Sequence, residues 1–147
     1  MSFVLTCIIF TPESYSQESN LKINILNLEK PGVVFTSICK NAAGFEQSVE
    51  NESEEESCIN GKVGVDLENY EINGIVPHGE YAIAVFVDVN GNGKMDKNFL
   101  GIPKEQYGFS NNVMGKMAAP SFEMAKFSVT GPTTQNIKLR IGIPKQN

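Results

Sequence analysis

"EYAIAVFVDV", residues 80–89, is apolar at nearly every position, and its reading decides the fold. A run this short, β-branched and nearly continuously apolar describes the strongest strand, a central one. Working outward, "LKINILNL" (21–28) alternates Leu21, Ile23 and Ile25 against Lys22 and Asn24 before the turn "EKPG". "VVFTSICK" (33–40), "GKVGVDL" (61–67), "NYEINGI" (69–75), "SFEMAKFSV" (121–129) and "TTQNIKLRI" (133–141) read as further strands. No segment sustains a helical apolar period. About seven short strands joined by turns predict an all-β chain, an antiparallel β-sandwich.

Between Asp88 and Ser121 lies a stretch with no strand pattern, about twice as long as an ordinary long loop. It holds Phe99, Leu100, Ile102, Tyr107, Phe109 and Met114, too much apolar surface for a tether. The expectation is one long ordered loop folded against the sandwich and organised by something within it.

Composition narrows the partners. A net charge of -5 argues against nucleic acid or an anionic membrane as the main partner. Much of the acidity sits in "EQSVENESEEES" (46–57), which reads as a solvated loop. At the N-terminus, the apolar run Phe3–Phe10 is followed by Ser14 and Ser16, the small residues of a secretory cleavage site before Gln17. Residues 1–16 are therefore expected to be a signal peptide and 17–147 a single exported domain. The competing reading is a first β-strand, favoured by the absence of Lys or Arg before the run. The run is far too short to span a bilayer. Its removal leaves Cys39 and Cys58, which in a periplasmic or extracellular protein form one disulfide; two free thiols are the alternative.

The long loop opens with "DVNGNGKMD" (88–96). Calcium loops place oxygen side chains at positions 1, 3 and 5, glycine at 6, a carbonyl at 7 and another oxygen at 9. Counting from Asp88 gives Asn90, Asn92, Gly93, the Lys94 carbonyl and Asp96. Position 12 is Phe99 rather than a bidentate glutamate, so a further ligand has to come from Glu105, Glu123 or water. With two carboxylates the predicted Ca²⁺ site is weak, in the range of extracellular modules. The competing reading is a plain hairpin turn, since Asn-Gly occurs at 90–91 and again at 92–93. On the calcium reading, the oxygens of 88–96 face a common centre even without metal, and Asp88→Ala lowers the melting temperature in millimolar calcium and changes little in chelator.

"GEYAIAVFVDVNGNGKMDKNFLGIPKEQYGFSNN" (79–112), with "APSFEMAKFSV" (119–129), resembles the DUF2141 family of uncharacterised exported bacterial proteins. The shared pattern is G-x-Y-A-x-A-x-F-x-D-x-N-x-N-G-x-x-D, then an F-L-G-I-P…Y-G-F-S-N-N block and a P-S-F-E block. The resemblance is specific across 79–129 and looser on either side. It implies a transthyretin-like or immunoglobulin-like sandwich in the cell envelope and brings no activity with it.

Catalytic signals are sparse. His78 sits in a Pro-His-Gly turn, and Ser110 lacks a nucleophile elbow. Asp88 and Asp96 as the acid–base pair of a hydrolase is the alternative to a non-catalytic module, but two carboxylates in one small loop suit a shared cation better. A binding role rests on Tyr107, Phe109, Asn111 and Asn112, aromatic faces and amides that suit a glycan or an envelope-protein segment. Side-by-side exposure of the two rings favours binding; their burial favours a structural role.

Overall fold

The run at 80–89 becomes the strand Gly79–Asp88, and the rest of the fold is arranged around its two faces. The computed structural model describes residues 18–50, 57–66, 69–115 and 119–143. The proposed signal peptide, residues 1–16, lies outside the described residues, as does 51–56 of the acidic stretch. In chain order the strands are β1 (Leu21–Leu26), β2 (Gly32–Cys39), β3 (Cys58–Val65), β4 (Tyr70–Gly74), β5 (Gly79–Asp88), β6 (Tyr107–Phe109), β7 (Phe127–Val129) and β8 (Thr133–Lys138). Helix α1 (Ala42–Val49) follows β2, and the single turn α2 (Phe122–Ala125) precedes β7.

One sheet has the order β4-β1-β8, and the other β3-β2-β5-β6 with β7 on the same edge of β5 as β6. All pairs are antiparallel except β1 with β8, which run parallel with Leu21 opposite Thr133. The all-β sandwich is as expected, with one parallel pair inside it. Leu21, Ile23 and Ile25 of β1, Val34 of β2, Ile83, Val85 and Val87 of β5 and Ile137 of β8 meet between the sheets. Behind β5, Ala82, Ala84 and Phe86 form a second apolar layer with Phe45, Phe109, Phe122 and Ala125. The small alanines leave room for the helices to lie close to the sheet.

Two segments are helical where no helix was expected. Residues 42–49, whose second half was expected to be loop, form α1: the Asn41 side chain caps it by accepting from Gly44 N–H at 2.8 Å. Its apolar period is only two turns long, with Phe45 its one large fully buried residue. Within 121–129, Ser121 caps the α2 turn before the chain extends into β7.

Cys39 and Cys58 stand opposite each other in the β2–β3 register, Cα atoms 4.0 Å apart, and form a disulfide. Gly44 packs α1 directly against it: a Cβ there would lie 2.9 Å from Cys58 Sγ and would collide with Ser57 Oγ.

Thr36 faces the inter-sheet core between Val34 and Ile38, and its Oγ1 is buried without a hydrogen-bond partner among the described residues. Thr36→Val replaces that hydroxyl with a methyl group of the same shape. It is expected to raise stability by about 1 kcal/mol in urea unfolding, and a loss of stability would show that the hydroxyl is bonded.

Candidate metal loop and apolar groove

Asp88 ends β5 on its outer face, and its side chain is buried. Gly32 of β2 lies so close to the Asp88 carbonyl that a Cβ there would come within 2.5 Å of the oxygen. The chain then turns through Gly91 and Gly93, both left-handed with φ near 77° and 76°, the conformation that glycine alone adopts freely. These two glycines aim their N–H groups at Asp88: Gly91 donates to Oδ1 at 2.9 Å and Gly93 to Oδ2 at 2.7 Å.

The asparagines between them form successive side-chain turns. Asn90 Oδ1 accepts from Asn92 N–H at 3.2 Å, and Asn92 Oδ1 accepts from Lys94 N–H at 3.0 Å. Their Nδ2 groups converge on one carboxylate: Asn90 donates to Asp96 Oδ2 at 2.5 Å and Asn92 to Asp96 Oδ1 at 2.7 Å. Glu105, also buried, clasps both ends, accepting from Val89 N–H at 2.9 Å and Asp96 N–H at 3.1 Å. Lys94 and Lys97 are exposed.

The segment is thus a closed loop folded onto Asp88, Asp96 and Glu105, not a two-residue hairpin turn. None of these carboxylates has an ion-pair partner among the described residues. Backbone and amide N–H dipoles alone meet three negative charges.

The donor set fits a hard divalent cation in chemistry, all oxygen, but not in its present facing. Among the described residues no three His, Cys, Asp or Glu side chains approach closely enough to share an ion. An ion between Asp96 and the asparagines needs both amides turned over. That presents two oxygens beside those of Asp96 and gives up the two asparagine-turn bonds. Glu105 is the extra carboxylate at the loop. Glu123, the other candidate, is on α2 and pairs with Lys126 at 2.7 Å, which raises the Lys126 pKa.

The far side of this loop walls a groove of about 910 Å³ on the outer face of the β5 sheet. Phe35 and Phe86 form its floor, stacked with centroids 4.8 Å apart. Tyr107 and Phe109 meet edge-on at 5.8 Å and also line it, but both rings are largely buried. Tyr107 OH donates to Gly142 carbonyl at 2.6 Å, and burial pushes its phenol pKa up against the opposing effect of Arg140. These two rings are therefore not an exposed aromatic platform.

Asn111 and Asn112 hold the framework. Both adopt left-handed φ, 59° and 51°, which asparagine tolerates better than most residues. Asn111 Nδ2 reaches the carbonyls of Ala125 and Lys126 at 3.1 and 2.9 Å. Asn112 donates to Asn136 carbonyl at 2.7 Å and accepts from Lys138 N–H at 2.8 Å. Ser110 Oγ is fully buried, accepting from Ile83 N–H at 2.9 Å and donating to Ala125 carbonyl at 2.6 Å.

Phe35 and Phe86 were missed as groove residues. Their signal was present in the alternation of β2 and β5, where both fall on the face away from Val34 and Val85. It needed the strand register, which places them directly opposite each other.

A family model described as "Uncharacterized protein conserved in bacteria (DUF2141)" matches residues 23–138. No curated protein and no solved structure matches the chain.

Proposed function

Because the chain belongs to the DUF2141 family, whose description carries no activity, we propose a function from its own geometry: a non-catalytic, exported accessory module of the cell envelope. In this reading a calcium ion held at residues 88–96 stiffens one wall of a groove that takes an apolar protein segment. The observation that carries it is the convergence of the Asn90 and Asn92 amides on Asp96, which has no ion-pair partner among the described residues, in the loop whose Met95 lines the groove with Leu100 and Ile102. The largely apolar lining suits a peptide segment better than a glycan. Export is supported by the Cys39–Cys58 disulfide, a bond that persists in oxidising compartments. The absence of catalysis is supported by the engagement of Ser110 Oγ and of both Asp88 oxygens in framework hydrogen bonds.

Calcium titration followed by thermal unfolding tests the reading. With a dissociation constant of about 1 mM, a tenfold excess of calcium is expected to add about 1.4 kcal/mol. Magnesium, which demands tighter octahedral geometry, is expected to add less. A melting temperature unmoved by about 10 mM calcium would make the loop a self-sufficient turn.

A further inference from the structure

The wall of the groove ends in a turn that exposes its apolar residues. Asn98 carbonyl accepts from Gly101 N–H at 2.9 Å, and Asn98 Oδ1 accepts from Leu100 and Ile102 N–H at 2.9 and 3.0 Å. Asn98 N–H also donates to Ile102 carbonyl at 2.9 Å, and Lys97 bridges to Pro103. This well-bonded tip leaves Phe99 96% exposed and Leu100 68% exposed. A pre-formed apolar knob loses little conformational freedom on docking.

The socket lies beside it. Val49, Met95 and Met114 surround the stacked Phe35–Phe86 floor, and methionines adapt to irregular apolar shapes. Leu100 lines the groove of its own chain while its neighbour Phe99 does not, so the knob stands on the rim of the socket. A second copy turned about a two-fold axis beside that rim brings each knob over the other's groove.

The rim charges are complementary in the same arrangement. Lys97 lines the groove on the loop side, and Glu46 and Glu50 line it on the α1 side. All three are exposed, and none has an ion-pair partner among the described residues. The two acidic residues also disfavour an anionic bilayer as occupant, since they would approach it together with the tip.

We propose that Phe99 at the tip of each molecule fills the groove of a second copy, Leu100 staying at the rim of its own groove, in a two-fold dimer with Lys97 facing Glu46 and Glu50 of its partner. This rests on the groove being a binding site, as proposed above, and not on the calcium. The contact is small, so the dimer is weak and is to be read between about 1 µM and 1 mM protein.

The chain has no tryptophan, so Phe99→Trp supplies a single reporter at the tip. Its emission is expected to shift to the blue as protein concentration rises, in step with dimer formation by analytical ultracentrifugation. Phe99→Ser, at a site bare of contacts, is expected to weaken dimerisation about ten- to hundredfold. Lys97→Glu is expected to weaken it about fivefold, and Lys97→Glu combined with Glu46→Lys to recover it.

A wild type that stays monomeric to about 1 mM overturns the dimer. So does a blue shift produced by vesicles of anionic phospholipid but not by raised protein concentration. An apolar fluorescent dye added to Phe99→Ser separates the two readings. Dye bound in the groove with no wild-type dimer removes this inference alone; no dye bound and no dimer removes the groove as well.

Discussion

A Cys39→Ser, Cys58→Ser double variant is expected to be about 3 kcal/mol less stable than the wild type, a fall of roughly 10 °C in melting temperature. The bond joins residues 19 positions apart and closes the loop that carries α1 and the acidic stretch. In the unfolded chain this loop is otherwise free, and closing it removes much of that freedom. The folded state adds a second effect, because α1 is packed onto the sulfurs through Gly44 and has few other anchors besides Phe45. Reductant is expected to lower the wild type to the level of the double variant and leave the variant unmoved. Two thiols titrating in the native, unreduced protein, with no response to reductant, would contradict the bridge.

The second large effect is expected from Asp88→Ala, about 3 kcal/mol by urea unfolding in chelator as well as in calcium. The loop pattern alone led to a different expectation, a loss confined to calcium. The geometry changes it because Asp88 works without an ion: its two oxygens hold the Gly91 and Gly93 N–H groups. Bonds to an ionised acceptor are the stronger kind, and removing it leaves two donors aimed at an apolar methyl group. Asp88→Asn keeps one carbonyl oxygen and is expected to lose about half as much. A loss below about 0.5 kcal/mol in chelator would mean that water replaces the carboxylate freely.

The central strand was legible because residues 80–89 carry their burial in their own composition. The spacing of Asp88, Asn90, Asn92 and Asp96 is local too and the chain curls on itself there, but which atoms of the two amides face Asp96 was not legible in it. Glu105 was only one of several candidates, since its hold on Val89 and Asp96 depends on how the loop returns. Strand β6 has three residues and was hidden inside an apolar loop. Helix α1 was hidden because two turns with one large buried residue show no period. Asn111 and Asn112 carry the amides that a ligand site would use, and here the backbone takes them. The same chemical capacity serves either role, and only the left-handed φ values with their carbonyl partners decide between them.

The parallel pairing of β1 with β8 bears on the order in which the chain assembles. Asn24 and Asn136 join their side chains at 2.7 Å across 112 residues of sequence. Contacts so distant form late, because the loop between them must close before they return any energy. Until Thr133–Lys138 has left the ribosome, β1 has β4 on one edge and nothing on the other, and the inner face of its sheet lacks Ile137. The chain is therefore exposed to aggregation until β8 is made. The β4-β1-β8 sheet is also slow to seal, since it stays open at β1 until β8 is in place.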